Sequence, residues 1–134
     1  FWADSEISSI RYLNFETNQV GTMVGHGLFD FGDVDGVGEK VLLQHPLGLT
    51  GSGDSLYVAD TFNHKIKRLD LSSAEVSTLV GGDGEMNEPG GLTVAGQWLI
   101  VADTNHHRLL RVHRQTGEIR ELSLLDVPEV GKEA

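Results

Sequence analysis

A short apolar motif that ends in aspartate occurs three times in this chain, at spacings of 56 and 43 positions. It reads Phe-Trp-Ala-Asp-Ser at 1–5, Leu-Tyr-Val-Ala-Asp-Thr at 56–61 and Leu-Ile-Val-Ala-Asp-Thr at 99–104. The second and third copies lie 43 positions apart, and the same spacing relates Pro46 to Pro89. A repeat of this length is a supersecondary unit that buries its apolar surface only against its neighbours. The chain is therefore expected to form a series of similar packed units.

Each repeat unit predicts four short β-strands. The second strand, 56–59 in one unit and 99–102 in the next, is apolar at consecutive positions, which is typical of a strand buried on both faces. Glycine makes up 17 of the 134 residues, as suits a chain that turns often. Four short strands in roughly 40 to 50 residues is the spacing of propeller blades. The predicted fold class is all-β: a β-propeller segment of about three four-stranded blades, half of a six-bladed ring.

The repeats divide the chain into blades, an insert and a tail. The segments are an incomplete first blade (1–25), an acidic insert (26–40), a second blade (43–82), a third blade (86–124) and a tail (125–134), together one partial propeller domain (1–134). The first blade begins at its second strand, so its innermost strand is missing. A second copy or the rest of a longer chain should complete the ring, and the tail is the candidate strand for a partner.

Charge and composition narrow the classes of partner. There are 20 acidic and 10 basic residues, which give a net charge of −10 at pH 7. Such a surface repels a phosphate backbone, and no Lys/Arg stripe offsets the repulsion, so nucleic-acid binding is not predicted. The absence of Cys excludes disulfides and thiolate metal sites within this chain. No apolar run reaches the roughly 18 residues of a membrane-spanning helix, so a membrane partner is not predicted.

The repeat resembles a known family. Pro-x-Gly-Leu followed by Tyr-Val-Ala-Asp-Thr-x-Asn-His-Lys-Ile resembles the NHL repeat, which positions 57–66 match residue by residue. Positions 100–109 match with slight shuffling, while positions 3–10 keep Ala-Asp and Ile but lack Asn-His. The stretch 31–48, which begins Phe-Gly-Asp-Val-Asp-Gly-Val-Gly, is similar to NHL proteins that join a thioredoxin-like domain to a six-bladed propeller and a small β-domain.

The resemblance implies the C-terminal half of such a propeller, in the cytoplasm, with a non-catalytic role as a scaffold for protein–protein interaction. A redox role cannot be carried by these residues, because they include no Cys. No Gly-x-Ser-x-Gly elbow or phosphate-binding glycine motif occurs, so neither an enzyme nor a cofactor is predicted. One alternative is a metal-dependent lyase or lactonase, since related propellers hold Ca²⁺ or Zn²⁺ on the central axis. RNA binding, known for some NHL propellers, is a further alternative that the net charge disfavours.

Six acidic residues form the predicted partner-binding set. They lie in the insert and in the connection before the third blade, which should share one face of the propeller. A negative rim at that face favours a basic protein or peptide. The insert itself should be a loop that Phe29 and Phe31 anchor in a groove. The acidic set is Asp30, Asp33, Asp35, Glu39, Asp83 and Glu85.

The residues around the turn after each second strand are interpreted as structural. The aspartates should accept hydrogen bonds from nearby backbone N–H groups, and a histidine ring nitrogen should bond to the neighbouring blade. In the metal alternative, His64 and His107 would instead converge with histidines of other blades on a cation. The structural set is Asp4, Asp60, Asn63, His64, Asp103 and His107.

Overall fold

A computed structural model of the protein describes residues 1–124. These residues form twelve β-strands in three separate antiparallel sheets, joined by tight turns and three short 3-10 helices. The prediction of an all-β propeller segment is confirmed. The tail 125–134, which we expected to supply a strand to a partner, lies outside the described residues. None of the described helices is long and apolar enough to cross a membrane.

The three sheets correspond to three blades. Blade 1 contains β1 (Trp2–Asp4), β2 (Ser9–Asn14) and β3 (Gln19–Val24). Blade 2 contains β5 (Gly48–Ser52), β6 (Ser55–Asp60), β7 (Lys65–Asp70) and β8 (Glu75–Gly81), with β4 (Gly36–Val37) from the insert as a fifth, outer strand. Blade 3 contains β9 (Pro89–Ala95), β10 (Trp98–Asp103), β11 (Arg108–His113) and β12 (Ile119–Glu121). The 3-10 helices span Gly38–Lys40, Thr61–Asn63 and Thr104–His106.

Two hydrophobic cores hold the blades together, and β6 contributes to both. Leu56 and Val58 pack between blades 1 and 2, in the first core. Tyr57 and Ala59 point the opposite way and pack between blades 2 and 3, in the second core. Successive side chains of a strand alternate between faces, so a strand packed on both sides must be apolar at every position. This explains the consecutive apolar residues of the repeat.

The antiparallel connections place the turns on two opposite faces. The upper face carries the turns after each second strand, including 61–63, and the connections between blades, including 82–88. The lower face carries the hairpin turns inside each blade, such as 53–54 and 71–74. The insert leaves β3 at the upper face, because β3 ends there.

Candidate functional site

The repeated aspartates of blades 2 and 3 hold the upper turns in place. Asp60 is fully buried, and one of its oxygens accepts the N–H of Gln44 at 2.8 Å. Asp103 is also fully buried and accepts the N–H of Asn87 at 2.7 Å. Gln44 and Asn87 each precede the first strand of the same blade, so each carboxylate ties the entry of its blade to the exit of the second strand.

The second oxygens of these two aspartates meet different partners, and their pKa values shift in opposite directions. Burial raises the pKa of Asp60, despite hydrogen bonds from the Asn63 amide and the Gln44 N–H. Burial also acts on Asp103, but hydrogen bonds from the Asn87 N–H and the Arg108 guanidinium outweigh it. The pKa of Asp103 therefore lies below its ordinary value of 3.8.

The Asp103→Asn variant should lose less folding stability in acid than wild type does. A lowered folded-state pKa contributes stability that is present above the unfolded pKa and is lost as the pH falls through the folded pKa. Wild type should therefore lose this contribution as the pH drops below about 3.8, whereas the asparagine variant cannot lose it. Urea unfolding between about pH 3 and pH 7 measures the difference.

Asp60→Asn is the matched control for the acid experiment, because the pKa of Asp60 is raised. A group with a raised carboxyl pKa binds its proton more readily in the folded state, so acid does not remove stability through it. The Asp60 variant should keep the acid loss that Asp103 causes, and its stability should fall with decreasing pH at least as steeply as that of wild type. Equal slopes in wild type and in the Asp103 variant would contradict the assignment.

The residue after each upper 3-10 turn connects its blade to the next one. His64 adopts a left-handed conformation (φ 57°), and its Nδ1 accepts the N–H of Glu88 at 3.0 Å at the entry to blade 3. Ser8 holds the same repeat position in blade 1, and its hydroxyl accepts the N–H of His45 at 3.2 Å. His107 has the same conformation (φ 55°) and is exposed in the described structure. Residues 1–124 contain no group of three or more His, Cys, Asp or Glu that could hold a metal ion.

The insert is a hairpin along the outer edge of blade 2 rather than a simple loop. Its descending arm pairs with β8, Gly36 opposite Val76. Its returning arm bridges back through Val34 and Leu42. The return brings Val41 and Leu43 into the first core, at 0% and 1% exposure. Sequence reasoning missed this strand, because only two of its residues pair and both lie among glycines and charges.

A buried lysine attaches the insert to blade 2. The side chain of Lys67 is fully buried, and its Nζ lies 2.8 Å from Asp33, 3.1 Å from Asp35 and 3.3 Å from Asp60. Lys65 also pairs with Asp33. We call Asp33, Asp35, Asp60, Lys65 and Lys67 the Lys67 cluster. Its first two carboxylates come from the insert and its third from the end of β6.

The Lys67 cluster keeps its central lysine charged. Burial alone would lower the pKa of Lys67, but the hydrogen bond to Asp33 and the charges of Asp60 and Asp35 outweigh it, so the pKa lies above 10.5. Burial likewise opposes the charge of Asp33, yet its hydrogen bonds to Lys65 and Lys67 bring its pKa below 3.8. Asp35 is further fixed by the N–H and hydroxyl of Thr78, at 2.8 and 2.9 Å.

The six acidic residues do not form one rim. Asp33 and Asp35 are engaged by Lys67 inside the chain. Glu39 lies near the lower face, since the neighbouring Gly38 N–H donates to the carbonyl of Ala74 in the lower turn of blade 2. The expectation that the whole set shares one face is therefore wrong for Glu39. The members left on the upper connections are Asp30, Asp83 and Glu85.

A groove lined by both apolar and polar side chains opens on the upper face between blades 1 and 2. Its volume is about 280 Å³, and the ring of His45 stacks on that of Phe62 with centroids 4.7 Å apart. Phe31 and Phe62 remain 58% and 44% exposed, and Phe29 is 85% exposed. The expectation that Phe29 and Phe31 anchor the insert in a groove is wrong for Phe29, whereas Phe31 lines the groove but keeps more than half of its surface exposed. We call this site the upper groove; it is lined by Glu6, Ser8, Leu28, Phe31, Gln44, His45 and Phe62.

Sequence reasoning missed Phe62 and His45 as members of this site. Phe62 fills the variable position of the repeat motif, where the third blade has Asn105. His45 precedes the repeated proline, where the third blade has Glu88. A large aromatic residue at a variable turn position could have indicated this site. The repeat does not require such a residue for its packing, so the residue is free to form a binding surface.

The sequence is similar to two kinds of curated protein. It is 49% identical over 86 residues to Protein SUPPRESSOR OF QUENCHING 1, chloroplastic, from Arabidopsis thaliana, covering 59% of this chain and 8% of that protein. It is 47% identical over 88 residues to NHL repeat-containing protein 2 from Homo sapiens, covering 60% of this chain and 12% of that protein. The chain thus spans only a small part of the length of these relatives. No protein-family model matches.

Solved structures share the fold at low sequence identity. A Bacteroides thetaiotaomicron structural genomics protein of unknown function aligns with a TM-score of 0.70 and 19% identity, over 81% of this chain and 30% of that chain. Virginiamycin B lyase from Staphylococcus aureus aligns with a TM-score of 0.63 and 17% identity, over 92% and 36%. These structures show the fold alone, whereas the similarity to NHL repeat-containing protein 2 extends to the sequence. The chain is a β-propeller segment whose sequence is similar to part of NHL repeat-containing protein 2.

Proposed function

We propose that this propeller segment is a non-catalytic scaffold that binds a protein or peptide at its upper groove. The observation that carries the proposal is the exposure of two phenylalanine rings, Phe31 and Phe62, in one groove of about 280 Å³. Exposed aromatic residues in a concave site are typical of interaction surfaces. The volume lies at the small end of ligand pockets and suits one large apolar side chain of a partner.

The charge around the upper groove favours a partner with a basic residue beside its apolar anchor. Glu6 lines the groove, and Asp30 directly precedes Phe31. Asp83 and Glu85 extend the negative charge along the next upper connection. Complementary charges increase the rate and the specificity of association.

The insert is held rigidly enough to present its aromatic residue. The amide of Asn63 donates to the carbonyl of Gly32 at 2.6 Å, directly beside Phe31. Asp33 and Asp35 then fix the descending arm through Lys67. In this proposal the two aspartates position the groove, and Phe31 and Phe62 contact the partner.

The groove contains polar groups, but they are used in ways that support binding rather than catalysis. The hydroxyl of Ser8 accepts the backbone N–H of His45. The ring of His45 stacks on Phe62, and within residues 1–124 the bond that joins His45 to that hydroxyl comes from its backbone N–H and not from its ring. A serine nucleophile needs a base within hydrogen-bond reach. The proposal also includes a cytoplasmic location, supported by the family resemblance alone.

Further blades complete the ring in this proposal, from a second copy or from a longer chain. Exposed apolar residues on blade 1, including Phe1, Trp2 and Tyr12, support this idea. An uncovered blade face of this kind favours association. Light scattering separates the two sources, because a second copy doubles the mass from 14.6 kDa.

Phe62→Ala should weaken peptide binding at least about tenfold while lowering stability by about 1 kcal/mol or less, since the ring is 44% exposed. Binding is measured with a synthetic hexapeptide that has one Phe between two Lys residues. Its Kd is obtained by two-dimensional NMR or fluorescence titration. The same peptide with Glu in place of Lys should bind more weakly, because the groove is acidic.

Phe15→Ala is the matched control. Phe15 is 87% exposed and lies in the lower turn between β2 and β3, away from the groove. This variant should bind the basic peptide like wild type. If the two phenylalanine variants bind equally, or if the acidic peptide binds as tightly as the basic one, the proposed site is wrong.

A further inference from the structure

A second cavity opens on the lower face, between blades 2 and 3, and it is lined by cations rather than carboxylates. Its volume is about 130 Å³. Its walls come from the starts of second strands, the ends of third strands and the lower turns of both blades. The lining residues are Ser55, Tyr57, Arg68, Gln97, Arg114 and Gln115. Two arginines therefore meet at one site in a chain whose net charge is −10.

Arg114 is fixed in this cavity by neutral partners. Its Nη1 donates to the carbonyl of Gly96 at 2.7 Å, and its Nη2 donates to the hydroxyl of Ser52 at 2.8 Å. Its Nε donates to the hydroxyl of Tyr57 at 3.3 Å. A guanidinium has five N–H donors, so each terminal nitrogen retains one. The side chain is thus pre-organised with two donors left for a ligand.

Arg68 and Tyr57 supply further donors. Arg68 Nε donates to the hydroxyl of Ser55 at 3.0 Å, which leaves its terminal nitrogens available. Tyr57 is only 3% exposed, and its hydroxyl accepts from Arg114, so its own proton can be donated into the cavity. Asp70 and Glu75 line a neighbouring cavity together with Arg68. Among residues 1–124, neither Arg68 nor Arg114 has a carboxylate oxygen within 4.0 Å.

We propose that this lower cavity binds a phosphate group. A phosphate oxyanion accepts several hydrogen bonds at once, and paired guanidinium groups with neutral donors beside them match that requirement. A carboxylate has only about four acceptor positions and would leave more of these donors unused. The group is carried either by free phosphate or by a phosphorylated side chain of a peptide.

The test is an NMR titration of the whole chain with inorganic phosphate at constant ionic strength, following the side-chain amides of Gln97 and Gln115. Phosphate should shift these signals saturably, and Arg68→Gln should raise the Kd at least about tenfold. The side chain of Arg68 hydrogen-bonds only to Ser55 among the described residues, so this variant should keep the thermal midpoint of wild type. Arg114→Gln is less suitable, because Arg114 also joins blades 2 and 3.

Arg111→Gln is the control of equal charge change. The guanidinium of Arg111 lies over the ring of Trp98, 4.5 Å from the ring centroid and outside the cavity. The Kd of this variant for phosphate should therefore stay within about twofold of the wild-type value. A phosphoserine peptide that binds more tightly than inorganic phosphate identifies a peptide-borne group, and weaker binding identifies the free anion. Shifts that do not saturate, an unchanged Kd in Arg68→Gln, or equal binding of acetate would overturn the proposal.

Discussion

Lys67→Leu should lower the free energy of unfolding by about 3–5 kcal/mol, although leucine is the residue that blade 3 carries at the equivalent position, 110. Lys67 and Asp60 are both fully buried, and removing the ammonium group leaves Asp60 charged in the core. Asp33 and Asp35 would lose the same cation, but their side chains are 37% and 39% exposed, so leaving them unpaired costs less free energy. Urea unfolding at neutral pH measures the loss.

A second variant separates the charge from the packing. Lys67→Leu combined with Asp60→Asn removes the buried unpaired carboxylate, so it should recover a large part of the lost stability. Lys65→Leu removes the other cation bound to Asp33, but Lys65 is 21% exposed and its loss should cost far less. Wild-type stability of Lys67→Leu alone would show that the cluster does not hold the insert.

Gly81→Ala should cost at least about 2 kcal/mol of stability. Gly81 has φ +109°, a conformation that L-residues rarely adopt. An added Cβ would also overlap the carbonyl oxygen of His64 and lie 2.9 Å from the Cα of Lys65. Both contacts are backbone atoms of β7 or its entry, so they cannot move aside without disturbing the strand pair. Thermal unfolding of the two proteins gives the difference.

Gly84→Ala separates the conformational cost from the steric cost. Gly84 has a similar φ of +90°, but an added Cβ there meets nothing within 4 Å. It should therefore lose only the conformational part, and Gly81→Ala should be clearly the less stable of the two. Equal losses would mean that the overlap with His64 is relieved by relaxation.

The repeat made the blades predictable, because the physical requirement is local. A strand such as β6 that packs on both faces must be apolar throughout, and the aspartate at its end, Asp60, must accept nearby N–H groups. Both requirements recur in each blade at the same position. The fold class follows from that periodicity without knowledge of any distant contact.

The two sites on the upper face could not be predicted in the same way. A lysine in a strand is typical of a solvated surface, and the carboxylate that neutralises Lys67 best lies 34 positions away, in the insert. The upper groove likewise combines Glu6, Phe31 and Phe62, which belong to three separate segments. Aromatic residues in a glycine-rich insert also predict buried anchors, because aromatic side chains are usually buried, and this prediction is wrong for Phe29.

The upper turn of blade 3 indicates in which orientation a further blade would pack against it. In blade 2, the hydroxyl of Thr61 donates to the carbonyl of Pro89 at 2.9 Å, and the ring of His64 accepts the N–H of Glu88. This turn therefore binds the entry of the following blade. Thr104 and His107 repeat these residues, and they lie exposed in the described structure. The upper turn that makes these contacts and the blade entry that receives them are different surfaces. Blades therefore pack head to tail. Contacts of that heterologous kind either close at a fixed number of units or continue as an open fibre, and the angle between blades decides which.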